Sequence, residues 1–157
     1  MLLPPALLAR VLEAWPVATL TTMGAQLHSV PVVFVADGDD LVLPVDGKPK
    51  TARGQVSLQR EHDLERNPAC VMLLQNYSDD WDALWWLRLN GNASLTRGND
   101  VLAERLIDKY PQYVDLPFDP DWRAIRFVPE SHRAWALAGG EAFASRFPAS
   151  PFAGTFG

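Results

Sequence analysis

The sequence predicts a mainly β domain: a small antiparallel barrel of six or seven short strands, with helices packed outside it. Three features predict it. β-Branched and apolar runs of strand length recur along the chain, turn-forming residues separate them at regular intervals, and the stretches of helical period are short. A chain of 157 residues is long enough for one domain with a hydrophobic core and too short for two of ordinary size. Residues 1–140 are assigned to that domain and residues 141–157 to a C-terminal tail.

Pro4 and Pro5 suit the first turn of a helix, in which Leu7, Leu8, Val11 and Leu12 share one side and Arg10 and Glu13 the other. The period then changes. Val17–Thr22 reads as a strand, Met23–Gln26 as a turn and Leu27–Ala36 as a second strand, so that the two form a hairpin. Asp37-Gly38-Asp39-Asp40 carries tight-turn chemistry, and Leu41–Val45 follows as a third strand in which Pro44 marks an edge or a bulge. Lys50–Arg66 reads as a loop leading into a short helix that stops at Asn67-Pro68. Cys70–Gln75 and Leu84–Leu95 supply a fourth and a fifth strand. Asp100 is placed to cap a helix that Tyr110-Pro111 ends, and Arg123–Val128 with His132–Leu137 give one or two closing strands. From Phe143 onward no period is visible, as in a tail or an arm that covers a partner.

Composition narrows the function. Nearly half the residues are apolar and about a fifth charged, which is the balance of a soluble globular protein. A net charge of −5 argues against a protein that grips nucleic acid, because that requires a basic surface to displace counterions from phosphates. The single cysteine, Cys70, excludes an internal disulfide and a cysteine-rich zinc cluster; its apolar surroundings, Cys70–Leu74, fit a buried thiol. The apolar N-terminus lacks a basic leader, and no stretch approaches a membrane span, so the expected location is the cytoplasm.

Two segments stand out chemically. Lys48, Lys50, Arg53 and Arg60 lie close together with no acidic residue among them from Lys48 to Arg60, inside an acidic protein. Such a concentration fits a phosphate or carboxylate ligand, and Asp46-Gly47-Lys48-Pro49-Lys50-Thr51 comes directly off a strand end, where backbone N–H groups and the Thr51 hydroxyl can join the cations. The alternative is a solvated loop that happens to be basic. The second segment runs from Asp79 to Arg88. Strand alternation puts Leu84, Trp86, Arg88 and Asn90 on one face and Trp85, Leu87, Leu89 and Gly91 on the other. A large aromatic beside a guanidinium suits the covering of a planar ring and the binding of its polar edge. The alternative is that both tryptophans pack a core and an interface while Arg88 pairs with Asp80 or Asp82. His28, His62 and His132 are dispersed, without metal-ligand spacing, and no glycine-rich phosphate loop or nucleophile elbow is present. No metal site and no catalytic side chain is assigned.

Taken together, Val17–Thr22, His28–Phe34, Asp46-Gly47-Lys48-Pro49-Lys50, Asn67-Pro68, Tyr77–Trp81 and Leu84-Trp85-Trp86-Leu87-Arg88 resemble the pyridoxamine 5'-phosphate oxidase-like family, and more narrowly its branch of coenzyme-F420-dependent enzymes. The resemblance implies a six-stranded antiparallel split β-barrel of the FMN-binding type with peripheral helices, acting as a homodimer with cofactor sites between the subunits. It also implies that Lys48 and Lys50 hold the cofactor phosphate, with Val45, Asp46, Thr51, Arg53 and Arg60 as further cofactor-binding positions and Trp86 and Arg88 reaching the ring from the other subunit. The function so implied is a flavin- or deazaflavin-dependent oxidoreductase that uses FMN or coenzyme F420 on a small organic substrate. The alternative is a cofactor-binding module without turnover, such as a sensor, carrier or scavenger; haem binding on a similar barrel is a third possibility, for which none of the histidines has a convincing ligand context.

Overall fold

A computed structural model describes residues 1–45 and 59–150 of the chain. Among them the helices are α1 (Pro5–Ala14), α2 (Gln59–Arg66), α3 (Asp100–Lys109) and α4 (Gly140–Ser145). The strands are β1 (Ala18–Met23), β2 (Leu27–Val32), β3 (Val35–Asp37), β4 (Asp40–Pro44), β5 (Ala69–Asn76), β6 (Trp85–Arg97) and β7 (Arg123–Ala136). All pairings are antiparallel, and the order across the sheet is β2-β1-β5-β6-β7-β4-β3.

This is an open seven-stranded sheet, whereas the strand pattern predicts a barrel of six or seven strands and the family resemblance a six-stranded one. The difference lies in Leu27–Ala36, which reads as one strand and is two, interrupted at Val33-Phe34. Its halves, β2 and β3, occupy the opposite ends of the strand order, so the chain itself joins the two edges and no ladder does. At the interruption the Phe34 side chain is fully buried, and its backbone groups are served by one side chain. The Tyr110 hydroxyl accepts from the Phe34 N–H at 3.1 Å and lies 3.0 Å from the Phe34 carbonyl and 2.9 Å from that of Pro16, two acceptors for its proton. Burial pushes the Tyr110 pKa up, which keeps that proton in place.

Alternation decides what faces inward. On β6 Trp85, Leu87, Leu89, Gly91 and Ala93 are buried, while Trp86, Arg88, Asn90 and Asn92 face outward. Leu20 of β1 and Cys70, Met72 and Leu74 of β5 meet them in the core, and the Cys70 thiol is pushed up to about 11 by burial alone. β7 is one continuous strand where the sequence allows one or two, and a bulge opposite Asn90/Gly91 increases its twist. Gly91 is required there, because a Cβ would lie 2.2 Å from the Val128 carbonyl oxygen. Beyond the bulge β7 turns to pair with β4. Arg126 on β7 bonds Asp37 at 2.9 Å and Asp40 at 3.1 Å, holding the β3–β4 hairpin against it, and these contacts keep the Asp37 carboxyl below its usual range.

The helices cover the sheet's inner side and ends. α1 buries Leu7, Val11 and Leu12, and Lys109 of α3 donates to the Leu12 carbonyl in α1's last turn at 2.8 Å while sitting 3.8 Å above the Phe34 ring. The cap of α3 is Asn99, whose side chain accepts from the Leu102 N–H at 2.9 Å; Asp100, the residue the sequence favours, is the first helical position. The stretch from Phe143 begins inside the fold. Phe143 of α4 and Phe147 are buried against Trp85, itself 4.5 Å from the Trp15 ring. Residues 151–157 lie outside the described residues.

Replacing Tyr110 with Phe keeps the ring and removes the hydroxyl that serves Phe34 and Pro16. Urea unfolding should show a lower midpoint with an unchanged slope, corresponding to a loss of about 2 kcal/mol; an unchanged midpoint would mean that the broken edge does not depend on this bond.

Candidate functional site

α2, with the sequence Gln59-Arg60-Glu61-His62-Asp63-Leu64-Glu65-Arg66, has one aliphatic side chain, Leu64, yet Glu61 and Asp63 are 0% and 1% exposed. Buried carboxylates need partners. Asp63 accepts from the Gln59 amide at 2.9 Å and the Thr22 hydroxyl at 2.8 Å, and His28 Nδ1 lies 2.9 Å from it. Gly24 makes room, since a Cβ there would come within 2.1 Å of the Asp63 carboxylate. The Gln59 bond, followed by those of Thr22 and His28, holds the Asp63 carboxyl below its ordinary value although burial works in the opposite direction. Polar contacts to β1 and β2 thus dock a helix that has almost no apolar face.

Arg123, at the start of β7, ties α2 to the end of β4. Its carbonyl accepts from the Val45 N–H at 2.9 Å, and its guanidinium lies 3.0 Å from Glu61 Oε1. Val45 and the first turn of α2 are therefore anchored on one residue. Arg60 stands half-buried in that turn. Asp46, Lys48, Lys50, Thr51 and Arg53, named as cofactor-binding positions by the sequence, lie outside the described residues.

Trp86 and Arg88 come together as alternation predicts. Both point outward from β6, with the Arg88 guanidinium 5.8 Å from the centre of the Trp86 ring. Among the described residues Arg88 makes no ion pair, so the pairing with Asp80 or Asp82 does not form; Asp80 caps a 3-10 turn by accepting from the Asp82 N–H. β7 adds two residues that the sequence did not single out: Trp135 lies directly opposite Trp86, and Arg133 directly opposite Arg88. Within one chain this patch is far from the Val45–Arg123–α2 junction. Arg88 is nine residues from Arg97, the partner of Arg123 on β6, or up to roughly 30 Å along a strand.

Two of the three histidines are engaged: His132 Nε2 accepts from the Leu3 N–H at 2.8 Å and His28 faces Asp63, while His62 is exposed on α2. Among the described residues no cluster of His, Cys, Asp or Glu could hold a metal ion, and no helix is long and apolar enough to cross a membrane. A cavity of about 700 Å³ between α1, the β3–β4 hairpin and α3 has Leu8, Leu12 and Leu41 among its walls and Arg105 and Lys109 at its polar side.

No family model and no curated protein matches the chain. Solved structures do, and among them are two putative pyridoxamine 5'-phosphate oxidases; this chain shares the fold, mainly β with peripheral helices. A "Putative Pyridoxamine 5'-phosphate oxidase" from Listeria innocua is 27% identical, with 82% of this chain and 94% of that one covered and a TM-score of 0.56. The haem storage protein HutZ from Vibrio cholerae is 16% identical over 87% of this chain and 95% of its own, with a TM-score of 0.60. An FAD-binding protein from Mesorhizobium loti is 13% identical over 84% and 92%, with a TM-score of 0.52. The last two similarities speak to fold alone.

Because the Asp63 pKa is lowered in the folded state, its contribution is fully present above the unfolded value of about 3.8 and is lost as pH falls through the folded value. Stability followed by thermal unfolding should therefore drop below about pH 4, and Asp63→Asn should lower the midpoint at neutral pH while flattening that acid slope. An acid slope unchanged in the variant would remove Asp63 from the anchor of α2.

Proposed function

We propose that the protein is a flavin- or deazaflavin-dependent oxidoreductase, related to pyridoxamine 5'-phosphate oxidases, that binds FMN or coenzyme F420 between the two subunits of a homodimer and acts on a small organic substrate. The observation that carries this reading is the outward-facing Trp86–Arg88 pair, an indole and a guanidinium without an ion pair among the described residues, held together on one strand. That donor set fits a planar ring with an anionic edge: the indole covers a ring face, and the guanidinium offers forked donors to negative oxygen or nitrogen. The separation of this pair from the junction of Val45, Arg123 and α2 supports a dimer, because two halves of one site up to roughly 30 Å apart in a chain meet most simply across two copies. The 27% identity with the Listeria innocua protein supports the same assignment.

In this reading the bound ring supplies hydride or electron transfer, and the protein supplies binding, orientation and electrostatics. Lys48 and Lys50 hold the phosphate. Trp86 shields one face of the ring from water, and Arg88 favours the state that carries more negative charge. No side chain acts as a nucleophile. The likeness to a haem storage protein favours a second reading, a carrier without turnover. Haem as the cargo has less support: His132 already accepts a backbone hydrogen bond through Nε2 and His28 is engaged by Asp63, which leaves the exposed His62 of α2 as the histidine not so engaged.

Titration of apo-protein with FMN and with coenzyme F420, followed by absorbance and fluorescence, should show tight binding of one of them, weakened roughly ten- to a hundredfold by Lys50→Ala or Arg88→Ala. Binding of neither ring ends the redox assignment. If a ring binds, its reduction by a nicotinamide or reduced deazaflavin donor and its reoxidation by an organic acceptor separate the enzyme from the carrier.

A further inference from the structure

The outer face of β5, β6 and β7 carries an arrangement of charge that the fold does not need. Arg88 and Arg133 are direct cross-strand partners, and like charges in that relation destabilise a sheet. Arg97, Arg105, Arg123 and Arg126 are each ion-paired, and Arg10 and Arg146 donate to carbonyls, while Arg66, exposed at the end of α2, has no ion pair among the described residues and no arginine directly opposite it. Among the described residues neither Arg88 nor Arg133 has a carboxylate within ion-pair distance. β1, β2, β5 and β6 contain no acidic residue at all, and the one carboxylate of β7, Glu130, sits at the bulge and accepts from Asn92. This happens in a chain whose net charge is −5.

One step along the same face, Trp86 and Trp135 are also direct partners, the first half-buried and the second 42% exposed. Among the described residues the two indoles make no ring contact with each other or with another aromatic ring. Arg88 is packed against Trp86, which fixes its position on the face. Opposed strand residues stand about 5 Å apart at Cβ, close enough for both guanidiniums to reach one oxyanion. An anion there converts a repulsive pair into a bridged one, and an attached flat ring finds indole beside it.

We propose that Arg88 and Arg133 form a two-guanidinium site for the phosphate or carboxylate of a planar ligand, with Trp86 and Trp135 covering its ring. The proposal deepens the cofactor reading and rests on it for whether the anion belongs to the cofactor or to a separate substrate. It does not rest on it for the site's chemistry.

The test is thermal unfolding of the intact protein at low ionic strength, with and without millimolar inorganic phosphate, the ionic strength being matched with chloride. Without phosphate, Arg133→Gln should melt about 2 °C above the parent, because it removes the repulsion, while Arg133→Lys should melt with the parent. Phosphate should raise the parent's midpoint by about 3 °C or more and leave Arg133→Gln unmoved. A lower melting point for Arg133→Gln, or an equal phosphate shift in both proteins, overturns the site. Repeating the titration on FMN-loaded protein distinguishes the sources. A phosphate shift that persists assigns the pair to a substrate anion, and one that FMN abolishes assigns it to the bound cofactor itself. Should neither FMN nor coenzyme F420 bind while the phosphate shift still requires Arg133, the cofactor reading fails and the anion site stands.

Discussion

Between β2 and β3 the backbone of Phe34 leaves the sheet with its side chain fully buried, and its amide and carbonyl would be stranded in an apolar interior without the Tyr110 hydroxyl. Much of the architecture depends on that substitution of a phenol for a ladder. It lets one run of chain serve as both edges of the sheet, and it binds the end of α3 to the segment that follows α1 through the Pro16 carbonyl. Lys109, one residue earlier, reinforces the junction from the other side by closing α1's last turn; burial against Phe34 and Tyr110 lowers its pKa to about 8. A buried orphan amide or carbonyl costs on the order of 1–3 kcal/mol, a large fraction of the stability of a domain this size.

The second constraint is electrostatic. The protein is acidic, yet several of its carboxylates are spent on structure: Asp37 and Asp40 hold the β3–β4 hairpin to β7, and Glu61 and Asp63 dock a helix with hardly any apolar surface. Buried carboxylates of this kind are weak sources of net stability and strong sources of position, because only one placement satisfies all of their partners. Arg123 links the two uses. By taking Val45 through its backbone and Glu61 through its side chain, it fixes where the chain leaves β4 and where α2 begins.

What remains unpaired is informative for the same reason. A sheet face with two opposed arginines and two opposed tryptophans, and no acidic residue on β5 or β6, carries a local repulsion that something anionic and flat would relieve. A flavin or deazaflavin, or the substrate beside it, has that chemistry. The face is open strand surface, so in the proposed homodimer a second copy of the chain would supply the opposite wall.

The sequence by itself determined the class of fold, the register of inward and outward residues on β6, the burial of Cys70 and the meeting of Trp86 with Arg88, because all four follow from alternation and turn chemistry, which act over a few residues. It also exposed the basic stretch from Lys48 to Arg60, of which only Arg60 is among the described residues. Only the tertiary structure decided the rest. The break at Val33-Phe34 depends on Tyr110, more than seventy residues away; the seat of α2 depends on Thr22 and His28, which no local pattern connects to Asp63. The i, i+4 spacing of Gln59 and Asp63 was visible, but its burial was not. That Arg133 and Trp135 stand opposite Arg88 and Trp86 was not legible, because their meaning comes from cross-strand register, and register is set by the bulge at Gly91, where the approach of one backbone to another, and not any property of a single segment, fixes which residues face each other.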